Sequence, residues 1–296
     1  MTVTIIGIGL IGGSMALAMK EKRFAEKIIG VDNNSGHQKK ALELKLVDAV
    51  MNLEDAVKIS QLVIVATPVD ATETILPQIL DLVNEQVVMD VGSIKRKIIE
   101  TIKDHPKRMQ FVATHPMWGT EYSGPEAAVN DAFIGKAVVI CNKDECDVKA
   151  LKCVSELYNK IGMHVLFMNA AEHDLHAAYV SHVSHITSFA LANTVLEKEK
   201  EEDAIFELAS GGFESTVRLA KSNPAMWVPI FMQNRENVLD VLNEHITQLR
   251  KFKSCLEKEN YEYLRNLIEH ANGIKKIIGP LSPPKESGVL RTGRGT

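Results

Sequence analysis

The chain has 296 residues, of which 45% are apolar, 24% charged and 5% aromatic, with a formal charge of −4. This length allows two ordinary domains built around aliphatic cores. The slightly acidic balance argues against a general nucleic-acid binder, which needs a basic face to neutralise phosphates. Apolar runs fall short of the roughly 20 residues of a membrane helix. The N-terminus resembles neither a secretion nor an import signal, so we expect a cytoplasmic protein.

The first half of the chain alternates short apolar runs with longer amphipathic stretches. A strand predicted at Thr2–Ile8 precedes a helix at Ile11–Met19, and a strand at Lys27–Val31 precedes a helix at Gly36–Leu46. Further strands are predicted at Leu62–Ala66, Val87–Asp90, Gln110–Ala113, Ala137–Ile140 and His164–Phe167. Short apolar runs separated by helical patterns predict an α/β fold with a mostly parallel, Rossmann-type sheet covered on both faces.

A glycine-rich loop connects the first predicted strand to the first predicted helix. It reads Gly7-Ile8-Gly9-Leu10-Ile11-Gly12. In such a loop the first glycine permits a tight turn, the second lets the backbone approach a pyrophosphate, and the third allows close packing of helix on strand. The helix N-terminus, including Leu10 and Ile11, offers unpaired N–H groups to phosphates. The pattern therefore predicts a dinucleotide site.

Two further features favour NAD over NADP at this site. Asp32 ends the second strand, where a carboxylate accepts hydrogen bonds from ribose hydroxyls and repels a 2′-phosphate. The residues that follow include no arginine to reverse this preference. Thr67 and Pro68 follow the next strand of the sheet, at the edge where ligands bind in such folds.

Polar residues also follow two later strands. Ser93 comes after the strand that ends at Asp90, and His115 comes after the next strand, followed by Thr120 and Glu121. Because both groups lie at carboxyl ends of strands, a hydrogen bond between Ser93 and His115 is expected.

Strand signals almost disappear between Ala170 and Ile278, where helical patterns cover Leu175–Leu196 and Asn234–Leu256. We therefore predict a dinucleotide-binding Rossmann domain at residues 1–168 and an all-helical substrate and dimerisation domain at 169–278. Wide apolar stripes on these helices favour a homodimer. Residues 279–296, rich in Gly, Pro and Ser, are predicted to be a disordered tail.

Four histidines lie close together in the first of these helical patterns. His173 and His176 form one pair at i,i+3 spacing, and His182 and His185 form another. On a continuous α-helix the two pairs point to nearly opposite sides, so no metal site is predicted. Arg218 lies among apolar residues; it either pairs with a buried carboxylate or binds a substrate carboxylate.

These segments together resemble the prephenate/arogenate dehydrogenase family. The segments that carry the resemblance are Gly7–Ser14, Asp90–Lys95, His115–Gly124, Glu172-His173-Asp174 with Ser181–His185, and Arg218 ahead of Met226-Trp227. The resemblance extends to about Ile278. It implies an active site between a Rossmann domain and a helical dimerisation domain. It also implies NAD-dependent oxidative decarboxylation of prephenate to 4-hydroxyphenylpyruvate in tyrosine biosynthesis, or of arogenate to tyrosine.

The resemblance also implies roles for individual residues. His115 looks like the base that accepts the proton of the ring hydroxyl, with Ser93 orienting it. Arg218 matches a carboxylate-binding arginine, His182 and His185 match histidines lining the substrate pocket, and Thr120 and Glu121 lie in a loop that closes near the substrate. An ordinary histidine pKa near 6.5 predicts pH dependence close to neutrality.

Two departures from the family pattern stand out. Val183-Ser184 separates the second histidine pair, and Glu214–Val217 precedes Arg218, which predicts that Arg218 lacks a charged partner. Three alternative functions remain. One is a preference for arogenate. The second is a β-hydroxyacid dehydrogenase, which would use a helical lysine such as Lys221. The third is a non-catalytic NAD-binding regulator.

Overall fold

The computed structural model describes residues 1–200 and 205–277. The predicted tail at 279–296 lies outside the described residues. The described residues form two compact units, which divide between Leu242 and Asn243. The boundary predicted at residue 168 stays a prediction.

Eight strands form one sheet in the first unit. They are β1 (Thr2–Ile6), β2 (Lys27–Val31), β3 (Ala49–Val50), β4 (Leu62–Val65), β5 (Val87–Asp90), β6 (Phe111–Pro116), β7 (Ala137–Cys141) and β8 (His164–Met168). Their order is β3-β2-β1-β4-β5-β6-β7-β8, and β6 and β7 are the antiparallel pair. The mostly parallel α/β sheet predicted from the apolar runs is confirmed. The two-residue strand β3 was not among the predicted strands, because it is too short to show a pattern.

Apolar cores cover both faces of this sheet. Alternate residues of one strand enter different cores: Leu62 and Ile64 of β4 pack with one, and Val63 and Val65 with the other. All four side chains are completely buried. A strand covered on both faces requires apolar residues at every position, which explains the unbroken runs in the sequence.

Helices flank the sheet in the first unit, and further helices follow it along the described chain. In the sheet region they are α1 (Leu10–Glu21), α2 (Ser35–Glu43), α3 (Leu53–Ile59), α4 (Val69–Leu82), α5 (Arg96–Thr101) and α6 (Val148–Lys160). After the sheet follow α7 (Ala170–Ala177), α8 (Val183–Glu199), α9 (Gly211–Val217), α10 (Pro224–Gln233), α11 (Arg235–Glu257) and α12 (Tyr261–Asn272). Within 170–200 and 205–277 the described chain contains no strand, as predicted.

Local sequence signals explain where several helices begin. The Asn34 side chain accepts hydrogen bonds from the backbone N–H groups of Gly36 and His37 at the start of α2. Asn223 caps α10 in the same way, with Pro224 in the first turn. Such caps satisfy N–H groups that have no partner within the helix. Along the described part of the chain, no helix has the length and apolarity needed to cross a bilayer.

A π-helical turn at Ala178–His182 joins α7 to α8. A π-turn closes hydrogen bonds to the fifth residue, so it takes up one residue more than an α-turn. The helix predicted at Leu175–Leu196 is therefore continuous but not regular.

Candidate active site

A cleft of about 1480 Å³ lies over the carboxyl ends of β1, β2, β4 and β5. Twelve of the predicted site residues line it: Gly7, Gly9, Leu10, Ile11, Asp32, Thr67, Pro68, Ser93, His115, Thr120, Glu121 and His185. Gly12, His182 and Arg218 lie next to the lining residues rather than among them. The fold thus brings most of the predicted residues to one cavity, although they come from segments across more than half of the chain.

Close packing explains the first and last glycines of the loop. Gly7 has a φ of +90°, and a Cβ there would lie 2.6 Å from the backbone oxygen of Ala66. A Cβ on Gly12 would lie 2.1 Å from the oxygen of Gly7 and 3.0 Å from Ile5. Both distances are far below van der Waals contact, so the turn and the approach of α1 to β1 require glycine.

The Asp32 carboxylate is held at the end of β2 by backbone groups. Its Oδ2 accepts a hydrogen bond from the N–H of Ile8 at 2.9 Å, and its Oδ1 accepts one from the N–H of Asn34 at 2.9 Å. His37 Nδ1 lies 3.6 Å from Oδ2. The carboxylate therefore connects the glycine loop to the β2–α2 turn, and it still lines the cleft.

His115 near the end of β6 has a different partner from the one expected. Its Nδ1 lies 2.9 Å from Nε2 of His173, and the two rings meet edge to face. Among the described residues, Ser93 forms no hydrogen bond with His115, which corrects the sequence expectation. Ser93 lines the cleft after β5, but the ring nitrogen of His115 is held by a residue of α7.

Burial changes the acid–base character of His115. It holds the pKa of His115 well below the usual 6.5, and coulombic interactions with His173, Lys95 and His182 lower it further. His115 is therefore the neutral base near pH 7, and the expected pH dependence close to neutrality moves to more acid solution.

A buried polar network lies beneath these residues. The ammonium group of Lys95, which is 0% exposed, contacts the carboxylate of Asp90 and donates to the backbone oxygen of Thr114 at 2.7 Å. Asp90 also accepts from the backbone N–H of Thr114 at 3.1 Å. The Thr114 hydroxyl in turn bonds to the phenol of Tyr158. This network joins β5 to β6 directly below His115. Asp90 and Lys95 are the two ends of the sequence motif Asp90–Lys95, but nothing in that motif alone predicts their ion pair.

The π-turn changes which histidines share a face of the helix. In a regular α-helix His173 and His185 would be about 120° apart, but one surplus residue reduces this to about 20°. His173 is buried beside His115 and His185 lines the cleft, while His176 is exposed. The expectation that the two pairs point to opposite sides is wrong, because it assumed an uninterrupted α-helix.

His182 lies behind the cleft instead of in its wall. It is 1% exposed, and its Nδ1 lies 3.2 Å from the amide nitrogen of Asn234. Burial lowers its pKa to about 4. Its ring meets Trp227 edge to face, and Trp227 stacks on His185 with ring centroids 3.5 Å apart. His182 therefore supports the aromatic wall that His185 and Trp227 form.

Arg218 has a charged partner, contrary to the expectation. Its NH1 lies 2.7 Å from Oε2 of Glu121, and Glu121 lines the cleft. The carboxylate thus comes from the loop after β6, 97 residues away in sequence, and not from the residues just before Arg218. Arg218 also lowers the pKa of His185, after the larger effect of burial, so its charge acts within the cleft.

Within residues 1–200 and 205–277, no group of three acidic, histidine or cysteine side chains is arranged to hold a metal ion.

The sheet order, the glycine loop and the cleft define a dinucleotide-binding α/β protein with an added helical region. The model of the prephenate dehydrogenase nucleotide-binding domain matches residues 15–167, and that of the prephenate dehydrogenase dimerization domain matches residues 169–270. The chain belongs to the prephenate dehydrogenase family.

Individual relatives agree with this family. The chain is 33% identical to a prephenate dehydrogenase of Bacillus subtilis over 92% of its own length and 76% of that protein. It is 29% identical to a cyclohexadienyl dehydrogenase of Zymomonas mobilis, over 90% and 92% of the two chains. A crystal structure of the A. aeolicus prephenate dehydrogenase with hydroxyphenyl propionate and NAD⁺ is 30% identical. It superposes with a TM-score of 0.85 over 93% of this chain and 97% of that one.

Proposed function

We propose that this protein catalyses the NAD-dependent oxidative decarboxylation of prephenate to 4-hydroxyphenylpyruvate, a step of tyrosine biosynthesis. Family membership supports the reaction. The structural observation that supports it most directly is the position of His115, a half-buried base that lines the same cleft as the glycine loop and whose pKa is held well below its usual value.

The residues of the cofactor half fit NAD. The N-terminus of α1 begins at Leu10 without a side-chain cap, so its first N–H groups remain free for a pyrophosphate. Asp32 offers carboxylate oxygens where the adenosine ribose is expected and disfavours a 2′-phosphate. Thr67 and Pro68 line the same cleft. When bound here, the nicotinamide supplies the hydride acceptor.

His115 acts on the ring hydroxyl of the substrate. As the C4–H bond breaks with its electron pair, the hydroxyl oxygen becomes carbonyl-like and its proton becomes acidic. His115 accepts that proton. Loss of the ring carboxyl as carbon dioxide then leaves an aromatic ring, and the oxygen recovers a proton from His115. Aromatisation makes the step effectively irreversible, so the protein supplies mainly alignment and proton transfer.

Arg218 holds the substrate through a carboxylate. A guanidinium carries five N–H donors, and the contact with Glu121 engages NH1. Donors therefore remain for a bidentate contact with a carboxylate entering the cleft. Thr120, Glu121, His185 and Ser93 line the same cavity.

The protein acts as a homodimer in the cytoplasm. The match to a family dimerization domain supports the dimer. Light scattering during gel filtration tests it, because a monomer at micromolar concentration would contradict the assignment.

Steady-state kinetics test the function directly. NADH formation on addition of prephenate and NAD is expected, and prephenate and arogenate should each be compared with NAD and NADP.

His115→Asn should lower kcat by about 10²-fold or more while NAD affinity stays nearly unchanged. Arg218→Ala should chiefly raise KM for prephenate. A fully active His115→Asn enzyme would contradict the role of His115.

The alternatives receive less support from the structure. Lys221, the base required of a β-hydroxyacid dehydrogenase, is exposed, whereas His115 lines the cleft. A regulator without activity would form no NADH with either substrate. The arogenate alternative is distinguished by the ratio of kcat/KM for the two substrates.

A further inference from the structure

A chain of three side chains connects the cleft wall to helix α7. Nδ1 of His115 lies 2.9 Å from Nε2 of His173, and Nδ1 of His173 lies 2.7 Å from Oδ1 of Asp174. His173 and Asp174 are 2% and 3% exposed. None of the functional roles described above uses either residue.

Backbone groups hold Asp174 as a hydrogen-bond acceptor. Oδ1 accepts from the N–H of Lys95 at 2.8 Å, and Oδ2 accepts from the N–H of Arg96 at 2.9 Å, at the start of α5. A backbone N–H can only donate, so both oxygens of Asp174 must accept. Asp174 therefore has a fixed position and a fixed role.

The hydrogen positions along the chain follow from this anchor. Because Oδ1 of Asp174 accepts, Nδ1 of His173 must carry a hydrogen. A neutral imidazole carries one N–H, so Nε2 of His173 is then an acceptor. Nδ1 of His115 must supply the hydrogen for that bond. This leaves Nε2 of His115 with its lone pair, as the ring nitrogen still available to a molecule in the cleft.

We propose that Asp174 and His173 are positioning residues that hold His115 in the tautomer whose Nε2 accepts the substrate proton. This inference rests on the proposed function, since it specifies the atom of His115 that acts. The opposite tautomer would present an N–H to the substrate hydroxyl, and that N–H cannot remove a proton.

The tautomer of the wild-type protein can be measured without any activity assay. Nitrogen-15 NMR of labelled histidine distinguishes a ring nitrogen that carries hydrogen from one that does not. The expected result is hydrogen on Nδ1 of both His115 and His173, with both Nε2 atoms bare. Hydrogen on Nε2 of His115 would overturn the inference, and so would a doubly protonated His173, which would donate from both nitrogens.

Two substitutions of His173 test the consequence for catalysis. His173→Leu removes the acceptor, so His115 should lose its single tautomer and kcat should fall about 10²-fold or more, with KM and NAD affinity changing only a few-fold. His173→Gln places a carbonyl oxygen where Nε2 lies and should recover a measurable part of kcat. His176→Leu, an exposed position on the same helix, is the matched control and should keep wild-type kinetics.

The outcomes separate this inference from the proposed function. If the wild-type protein oxidises prephenate and His115→Asn is inactive, but folded His173→Leu keeps its kcat, only the positioning role fails. Equal loss of kcat in the Leu and Gln variants, with His115 keeping hydrogen on Nδ1 alone in both, would also overturn it. If the wild-type protein forms no NADH with prephenate, the proposed function fails, while the NMR result still decides the tautomer.

Discussion

The two halves of the cleft are built in different ways. The cofactor half depends on neighbouring residues: Gly7 and Gly12 lie in one loop, and their role is to let backbone segments approach closely. The proton-accepting half depends on side chains distant in sequence, since His115 and His173 are 58 residues apart and Lys95 and Asp174 are 79 apart. The first half is therefore sensitive to added volume, and the second to the loss of a single polar partner.

The largest loss of stability is expected from removing a buried charge in the proton-accepting half of the cleft. Lys95→Met leaves the carboxylate of Asp90 buried without its cation, which should lower the free energy of unfolding by about 3–5 kcal/mol. Lys97→Met is the matched control, because Lys97 is exposed and its ion pair with Glu73 spans 3.4 Å at the surface. Urea denaturation measures both. Equal small losses of unfolding free energy in the two variants would show that the buried ion pair stabilises the fold no more than the surface pair does.

A smaller loss of stability is expected from adding a methyl group in the cofactor half of the cleft. Gly12→Ala forces α1 away from the strand, because the new Cβ would lie 2.1 Å from the oxygen of Gly7. The expected loss of stability is about 1–3 kcal/mol, accompanied by weaker NAD binding. Gly211→Ala adds the same methyl group where, among the described residues outside its own helix turn, no atom lies within 4 Å. Thermal unfolding and NAD titration of both variants should separate them, and identical behaviour would contradict the steric explanation.

The smallest effect concerns pH. Because the pKa of His115 is held well below 6.5, the base stays neutral as pH falls through 6.5, and kcat/KM should decline only in more acid solution. A decline of kcat/KM centred near pH 6.5 would contradict the lowered pKa of His115.

Acid unfolding must be measured in parallel. His182, with a pKa lowered to about 4, takes up a proton more readily when unfolded, so stability falls as pH drops from 6.5 toward 4.

Most of the sheet could be predicted from the sequence. Every residue of β4 is buried, so the apolar run Leu62–Val65 is visible without any structure. The glycine loop and the ends of the strands are equally local signals. The predicted family and the α/β fold followed from these features and are confirmed.

The partners within the site could not be predicted in the same way. Ser93 and His115 lie at adjacent strand ends, yet the ring bonds to His173, because α7 packs against β7 and α5 and brings its buried face there. The pairing of Arg218 with Glu121 also joins two segments whose sequences give no sign that they meet. Such contacts depend on the tertiary fold, which spacing along the chain does not encode.

The π-turn at Ala178–His182 has a consequence for changes in chain length. Deleting one residue there would restore a regular α-helix and leave the following segment in nearly the same orientation, because the π-turn already takes up one surplus residue. In a helix without such a turn, the same deletion would rotate everything that follows by about 100° about the axis. The stacked position of His185 on Trp227 should therefore survive the loss of one residue at Ala178–Ser181 better than regular helix geometry would allow.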